Sequence, residues 1–285
     1  MNRIVVSALL ILLLSSPAAD GAAGQAEPET HTVLINGFEM VYETVGRGEP
    51  LLLVHGWSGN AEYFGPLLAD LREHYRLIIP ELRGHGRSTN PKGSFTIKQA
   101  SRDVGALLRH LGLEGVRAMG ASAGGLTLLD LSIQDPSALE EMILVGVGTH
   151  FPPHCKESMA GSDAGSYSDA WWDVMRNRHE YGDDQIRAII GYLQELAATD
   201  GDVAFTPELL ANVEARTFIV QGDSDWCFPP PLVAEMHQAI PDAILWVIPE
   251  GEHVPILGER APLFLDLALD FFSEPDTASR GDRQP

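Results

Sequence analysis

Basic residues are scarce in this 285-residue sequence, which holds 19 Lys and Arg against 40 Asp and Glu. The formal net charge at pH 7 is therefore −21. A surface of this sign repels the phosphates of nucleic acids and the headgroups of anionic lipids. The composition thus argues against nucleic acid or an anionic membrane as the partner, and the acidic excess is most simply explained by solubility.

Cysteines and ligand motifs are also sparse. The sequence has two cysteines, Cys155 and Cys227, and by itself it leaves open whether they form a disulfide or remain two buried thiols. It contains neither a set of residues with the spacing of metal ligands nor the glycine fingerprint of a dinucleotide site. We therefore predict that the protein requires no cofactor and no metal.

No apolar run reaches the length of about 20 residues that spans a bilayer. The N-terminal run, Ile4 to Leu14, follows Arg3 and precedes small residues up to Ala23, which is the order of a secretory signal. We predict a signal peptide over residues 1–23, cleaved after Ala18 or Ala23, and export to the periplasm or the medium. A retained anchor is the weaker alternative, so no stable membrane anchor is expected after processing.

The hydrophobic content of 45% is enough for one large core. After a polar segment at 24–30, predicted to be disordered, the turn Asn36-Gly37 joins two stretches that are typical of a β-hairpin, His31 to Ile35 and Phe38 to Val45.

Short apolar runs without polar alternation recur through the rest of the chain, as is typical of strands covered on both faces. They are 51–54, 77–79, 116–119, 142–147, 218–220 and 244–248. Apolar spacing of helical period lies between several of them, at 61–74, 97–111 and 126–134. This alternation predicts an α/β fold with a mostly parallel sheet, in which ligands bind at the carboxyl ends of the strands.

The third of these runs leads into Gly120-Ala121-Ser122-Ala123-Gly124 and then into a helical pattern. A G-x-S-x-G turn between a strand and a helix projects the serine hydroxyl outward, and its glycines allow the close approach of backbone that this sharp turn requires. The context makes Ser122 a candidate nucleophile.

Glycine and polar residues follow three other predicted strands. After 51–54, the turn His55-Gly56-Trp57 would aim the N–H of Trp57 at the mouth of the sheet, where it could form an oxyanion hole with the N–H of Ala123. His55 is interpreted as a support of this loop rather than as the base.

Two carboxylates, Asp223 and Asp225, follow the run 218–220, and spacing alone does not decide which of them would orient a histidine. His253 follows the run 244–248. The chain order serine, acid, histidine is the one expected for a hydrolase triad on such a sheet.

These motifs resemble the α/β-hydrolase superfamily, in its compact esterase, lactonase and haloperoxidase-like branch, over about Thr32 to Phe272. The resemblance implies a triad of Ser122, Asp225 and His253, with Trp57 and Ala123 in the oxyanion hole. The family's D-x-R-G-x-G-x-S loop corresponds to 81–88, where glutamate replaces the usual aspartate and where His85 is interpreted as non-catalytic.

The resemblance further implies a serine hydrolase that cleaves a carboxylic ester of a small molecule through an acyl-enzyme. Ser122 disfavours the dehalogenase and epoxide hydrolase branches, which need a carboxylate nucleophile. Lactonases, carbon–carbon bond hydrolases, perhydrolases and aminopeptidases use the same triad, and a non-catalytic binding protein could share the fold. These alternatives and the oligomeric state stay open.

The resemblance divides the chain into a core at 31–148 and 207–273, a helical cap at 149–206 inserted after the sixth strand, and a tail at 274–285 that is predicted to be disordered. Aromatic side chains in or beside this cap suggest a pocket for an apolar acyl or aromatic group, although packing of the cap is the alternative. The candidate substrate-binding residues are Trp171, Trp172, Trp226 and Phe228.

Overall fold

A computed structural model describes residues 27–273 of the chain. The predicted signal peptide, residues 24–26 of the predicted linker and the predicted tail at 274–285 lie outside the described residues. The strands are β1 (Glu29–Ile35), β2 (Phe38–Gly46), β3 (Pro50–Val54), β4 (Arg76–Pro80), β5 (Val116–Ala121), β6 (Leu139–Val145), β7 (Arg216–Gly222) and β8 (Ala243–Ile248). The α-helices are α1 (Leu67–His74), α2 (Ile97–Leu111), α3 (Ala123–Gln134), α4 (Pro153–Ala160), α5 (Asp169–Arg178), α6 (Gly182–Ala198), α7 (Pro207–Leu210), α8 (Pro230–Ala239) and α9 (Ala261–Ser273).

The strands form one sheet in the order β1-β2-β4-β3-β5-β6-β7-β8. The pairs β1/β2 and β2/β4 are antiparallel, and every later pair is parallel. The predicted α/β fold class is therefore confirmed. Because β3, β5, β6, β7 and β8 run in the same direction, the loops after their carboxyl ends meet at one edge of the sheet.

The sheet is covered on both faces, which explains why its central strands carry apolar runs without alternation. Leu52 and Val54 pack into the core on one face, whereas Leu51 and Leu53 pack into the core on the other. All four side chains are fully buried. Successive residues of a strand point to opposite faces, so a strand covered on both sides is apolar at every position.

The N-terminal hairpin is confirmed, since Ile35 pairs with Phe38 across Asn36 and Gly37, both of which have positive φ. β1 begins earlier than expected, because Glu29 and Thr30 pair with β2. The prediction of disorder at 24–30 is therefore wrong for its last two residues.

The helix predicted over 61–74 is shorter in the structure, where α1 begins only at Leu67. Its start is set by Gly65 and Pro66. Gly65 has a positive φ, and a residue before proline is disfavoured in the α conformation. Apolar spacing did not register this break, because the residues of the preceding turns are also buried.

A helical excursion separates β6 from β7, as predicted for a cap, and it contains α4, α5 and α6. Its two ends meet where His150 pairs with Ala204 and where the N–H of Phe205 donates to the carbonyl of Thr149. The excursion has a small core of its own, formed by Trp171, Trp172, Met175, Ile186 and Ile190. Among the helices of residues 27–273, none combines the length and the hydropathy that crossing a membrane requires.

The excursion is tied to the sheet by a disulfide between Cys155, in α4, and Cys227, in the loop after β7. The two Cα atoms are 4.9 Å apart, and 72 residues separate the cysteines in sequence. Both cysteines are buried. The question that the sequence left open is thus decided in favour of the bridge.

We expect loss of this bridge to lower the free energy of unfolding by about 4 kcal/mol, since a cross-link over 72 residues restricts the unfolded chain strongly. Urea unfolding of the Cys155→Ala, Cys227→Ala double variant, compared with the oxidised protein, measures this difference. Dithiothreitol should have no further effect on the double variant, which makes that variant its own control. Equal unfolding midpoints for the two proteins would contradict the expectation.

Candidate active site

Ser122 lies alone between β5 and α3, at φ 52° and ψ −120°. Few residues other than glycine adopt this conformation, which stores strain. The backbone holds it from both sides, because the Ser122 N–H donates to the carbonyl of Val145 over 2.8 Å and the Ser122 carbonyl accepts from Leu126 in α3. The serine therefore stands at a sharp turn at the carboxyl end of β5, as the motif predicts.

Gly124 brings the end of β3 against this turn. A Cβ atom at Gly124 would collide with the carbonyl oxygens of Val54 and His55. A Cβ atom at Gly120 would lie 2.7 Å from the backbone of Gly124, so the turn itself also needs two glycines. The glycines of the motif are thus required by backbone contacts, and they place the loop that contains Trp57 beside Ser122.

His253 lies between Ser122 and Asp225. Its Nε2 is 2.9 Å from Ser122 Oγ, and its Nδ1 is 2.9 Å from Asp225 Oδ2. An ionised carboxylate only accepts, so Nδ1–H donates to Asp225 and Nε2 is left to accept from the serine hydroxyl. The structure brings together the three residues predicted for the triad, in the tautomer that a general base needs.

Two further glycines allow the loop of His253 to approach the sheet. A Cβ atom at Gly146, after β6, would collide with the carbonyl of His253, and one at Gly222, at the end of β7, would collide with the carbonyls of Gly251 and Glu252. This close approach explains how a histidine 131 residues from the serine reaches it.

Of the two candidate acids, the structure places Asp225 against the histidine, whereas Asp223 is exposed. Burial opposes ionisation of Asp225, but His253 and the backbone N–H groups of Cys227 and Phe228 outweigh it and hold the pKa of this carboxyl below its usual range. The Asp225 carboxylate is therefore negative at neutral pH and can orient the imidazole.

The two oxyanion candidates lie on different elements, at the start of α3 and in the loop after β3. Ala123 is the first residue of α3, so its N–H belongs to the positive end of the helix dipole. Trp57 lies in the loop after β3, and its indole Nε1 donates over 2.8 Å to the carbonyl of Ile189 in α6. The side chain of Trp57 thus fastens this loop to the cap.

His55 contacts the backbone of the same loop, in agreement with its interpretation as a support of the loop rather than as the base. Its Nδ1 donates to the carbonyl of Gly56 over 2.8 Å, and its Nε2 accepts from the N–H of Leu82 over 3.0 Å. Burial lowers the pKa of His55 to about 4. The ring is neutral at physiological pH, and both of its nitrogens are used in the scaffold.

Glu81, which replaces the expected aspartate, anchors the loop at 81–88. Its carboxylate accepts from the N–H of Arg87 over 2.7 Å and from the Arg87 guanidinium, and more weakly from the N–H of Ala61. Gly86 lies so close that a Cβ atom there would collide with this carboxylate. The longer side chain is thus accommodated by the glycine, and within residues 27–273 it forms no hydrogen bond with a triad residue.

Two of the candidate aromatic residues contact the imidazole. The ring centroids of Trp226 and Phe228 lie 5.8 and 5.9 Å from that of His253. Phe228 is buried and stacks on Phe151, whereas Trp226 is 47% exposed. The imidazole thus has two aromatic neighbours, and Phe228 is itself supported by Phe151, a residue that sequence reasoning missed.

The other two candidates lie in α5. Trp171 stacks on Tyr167 at 4.0 Å and on Trp57 at 6.4 Å, and so adjoins the oxyanion loop. Trp172 instead has the guanidinium groups of Arg176 and Arg187 over its ring, at 5.6 and 5.2 Å. The contacts of Trp172 within the described residues are with the cap, as the packing alternative expects.

No group of three or more His, Cys, Asp or Glu side chains that could hold a metal ion is found within residues 27–273. The arrangement around Ser122 offers a hydroxyl hydrogen-bonded to a base, and a base hydrogen-bonded to a carboxylate.

A sheet of this topology, with a serine at a strand–helix turn hydrogen-bonded to a histidine–aspartate pair, defines the class of α/β hydrolases. The family model described as "alpha/beta hydrolase fold" matches residues 49–177. The chain has the α/β-hydrolase fold.

Relatives of different activities resemble the chain. The 2-hydroxy-6-oxo-6-(2'-aminophenyl)hexa-2,4-dienoic acid hydrolase of Metapseudomonas resinovorans is 25% identical over 264 residues, which cover 83% of this chain and 88% of that protein. The soluble epoxide hydrolase of Corynebacterium sp. (strain C12) is 32% identical over 129 residues, which cover 43% of this chain and 45% of that protein. The match to this second relative thus spans less than half of its length.

Among solved structures, the enol-lactonase from Burkholderia xenovorans LB400 superposes with a TM-score of 0.71 at 22% sequence identity. The superposition covers 86% of this chain and 100% of the lactonase. A likeness at this identity establishes the fold, and the reaction has to be argued from the site.

Proposed function

We propose that the protein is a serine hydrolase that cleaves a carboxylic ester of a small molecule through an acyl-enzyme. The observation that carries the proposal is the chain of two hydrogen bonds, each 2.9 Å long, from Ser122 through His253 to Asp225. Serine is a weak nucleophile at neutral pH and needs an adjacent base that is oriented by a third group.

In the proposed reaction, His253 Nε2 accepts the proton of Ser122 as Oγ attacks the ester carbonyl. The negative oxygen of the tetrahedral intermediate is stabilised by the N–H groups of Trp57 and Ala123. The imidazolium, stabilised by Asp225, then returns the proton to the leaving alkoxide. Water deacylates the serine by the same steps, so no cofactor enters the reaction.

The aromatic neighbours of the triad support an apolar acyl or aromatic group in the substrate. Trp226 presents an exposed ring beside His253, Phe228 packs against the same imidazole, and Trp171 packs against Trp57. Exposed tryptophan beside a base gives a substrate ring a surface to stack on.

A second candidate is hydrolysis of a carbon–carbon bond, which is the activity suggested by the name of the Metapseudomonas resinovorans relative. That relative aligns over most of both chains, at 25% identity. The epoxide hydrolase relative carries less weight here, because its match is partial and because a serine, not a carboxylate, stands at the turn.

A substrate panel separates these activities. We expect turnover of p-nitrophenyl esters, with a preference for apolar or aromatic acyl groups, and weaker turnover of lactones, aminoacyl amides and a 2-hydroxy-6-oxo-hexa-2,4-dienoate. Trp226→Ala should raise KM for the preferred ester, because it removes the exposed ring beside His253. The matched control is Tyr181→Ala, which removes a ring of similar exposure (52%). Fastest turnover of the dienoate would instead establish the second candidate, and equal KM values in the two variants would rule out the stacking role of Trp226.

We also propose that the protein works outside the cytoplasm. The N-terminal sequence has the order of a secretory signal, and the Cys155–Cys227 bridge suits an oxidising compartment. Fractionation of the producing cells tests this: the protein should be found in the periplasm or the medium, and recovery only from the cytoplasm would overturn the proposal.

A further inference from the structure

Gln221 is a polar residue at the buried end of β7. Its side chain is 0% exposed. Its Nε2 donates to Asp225 Oδ2 over 2.7 Å and to the carbonyl of Phe228 over 2.8 Å. Both amide protons are therefore directed at the loop that contains the candidate acid.

Gln221 completes a set of four N–H donors around the Asp225 carboxylate. The backbone N–H groups of Cys227 and Phe228 donate to Oδ1, over 2.7 and 3.1 Å. Gln221 Nε2 and His253 Nδ1 both donate to Oδ2. One oxygen is thus held by the loop itself, and the other by the strand and by the histidine.

The orientation of the Gln221 amide is fixed by these partners. A reversed amide would place Oε1 against the negative Oδ2 and against the Phe228 carbonyl, both of which only accept. In the orientation observed, Oε1 is buried and has no hydrogen-bond partner among the described residues. Most buried polar atoms in proteins are paired, because an unpaired one lowers stability. A side chain without this oxygen would therefore avoid that loss of stability.

We propose that Gln221 is a positioning residue for the candidate acid, which fixes the plane of the Asp225 carboxylate so that Oδ2 faces His253. The inference rests on the proposed function of the Ser122, His253 and Asp225 triad. Without the Gln221 donor, Oδ2 keeps only its hydrogen bond with His253, and the carboxylate, anchored by the backbone at Oδ1, can turn about that side. The Nδ1–H group of His253 then loses its acceptor for part of the time, together with the tautomer that the base requires.

The first test removes the donor and keeps the length of the side chain. For Gln221→Met we expect kcat on the preferred ester to fall about 10-fold to 100-fold with little change in KM, because substrate does not contact this residue. The loss should be smaller than the roughly 10⁴-fold effect of disabling the acid of such a triad.

The second test, Gln221→Glu, restores the donor only at pH values at which the new carboxyl group is protonated. A carboxylic acid can donate its proton to Asp225, and two adjacent buried carboxyl groups share one proton until the pH rises far enough to remove it. We therefore expect this variant to approach wild-type kcat at acidic pH and to lose activity as pH rises, whereas the deficit of Gln221→Met should show no such rise with pH. A purely structural role would give no such difference.

A second readout is independent of turnover. The proton that joins His253 Nδ1 to Asp225 should give a far-downfield resonance in the NMR spectrum, which His253→Gln removes and thereby assigns. We expect Gln221→Met to shift or broaden this resonance. Gln185→Met is the matched control, because Gln185 is also buried and also donates through Nε2 to two carbonyls, those of Gly84 and Gly86, but does not contact the acid loop.

The outcomes distinguish the two proposals. An unchanged resonance together with wild-type kcat in folded Gln221→Met overturns the positioning role, even if the enzyme is an active esterase. A shifted resonance in a protein without Ser122-dependent activity would support the positioning role and count against the proposed function. Equal changes of the resonance and of kcat in Gln221→Met and Gln185→Met would show a general loss of packing and would also overturn the positioning role.

Discussion

Replacing Ser122 with alanine is expected to lower kcat for ester hydrolysis by about 10⁶-fold, which is the size of the loss found when the nucleophile of a serine triad is removed. The variant keeps the backbone N–H groups of the oxyanion hole and the apolar walls, but it has no atom that can form the acyl-enzyme. Turnover on the preferred ester, measured beside the wild type, checks this expectation.

The fold should survive the substitution, because the Ser122 hydroxyl bonds only to His253 in the described structure, and the main-chain bonds that hold the turn remain. Ser132→Ala is the matched control, since it removes another buried hydroxyl, on α3, which donates to the carbonyl of Leu129. A fluorophosphonate should label the wild type and Ser132→Ala but not Ser122→Ala. Near-normal turnover in Ser122→Ala would refute the assignment of the nucleophile.

Acidification is expected to destabilise the protein steeply below about pH 6.5. Three buried histidines lie next to one another, with ring centroids 5.3 Å apart for His55 and His85 and 6.1 Å apart for His85 and His179. Burial, more than any charge, lowers their pKa values to about 4, 3 and 3, in the same order, and the mutual repulsion of the histidines and the nearby Arg178 act in the same direction.

The direction of this pH effect on stability follows from proton binding. Above the unfolded pKa of 6.5 the three rings are neutral in both the folded and the unfolded state, so they do not make the free energy of unfolding depend on pH. Between 6.5 and the lower folded values the unfolded chain binds protons that the folded protein does not, so stability falls as pH falls. Each histidine contributes about 1.4 kcal/mol per pH unit, or roughly 4 kcal/mol for the three, against a total stability of typically about 5–15 kcal/mol.

Urea unfolding at a series of pH values from about 7.5 to about 4.5 measures this slope. His179→Asn should reduce the slope by about one third, because it removes one of the three titrating rings. The fold should tolerate the change, since the amide oxygen of Asn can accept from the Gly86 N–H that donates to His179 Nδ1 in the wild type. The exposed His110, changed to Asn, serves as the control and should leave the slope unchanged. The same slope in all three proteins would contradict the prediction.

Asp225 adds to stability only above the usual carboxyl pKa, and this contribution is lost at lower pH, as pH falls through its depressed folded value.

Much of the candidate site could be predicted from local sequence. The turn at Ser122 carries its own signal, because the glycines at 120 and 124 are demanded by backbone contacts within and beside the turn. The loops of Trp57 and His253 were found because each follows an apolar run, and the carboxyl ends of parallel strands share one edge. Helix starts were less predictable, as α1 shows, since apolar spacing continues through turns that are buried by tertiary contacts.

The choice between Asp223 and Asp225 could not be made from sequence. Gly222 ends β7, and the turn that follows directs residue 223 to solvent and residue 225 to His253. Gln221 does carry a signal in the sequence, because it is a polar residue at the end of an otherwise apolar strand. Its role depends on contacts with a loop that spacing does not describe.

The sequence by itself determined the α/β fold class, the serine turn and the order of the three candidate triad residues, because these depend on local periodicity and on the steric demands of glycine. Only the tertiary structure decided which aspartate meets the histidine, that Cys155 and Cys227 are joined across 72 residues, and that Trp226 contacts His253 while Trp172 packs within the cap. These outcomes depend on distances between segments far apart in the chain, and such distances are set by the packing of the whole core.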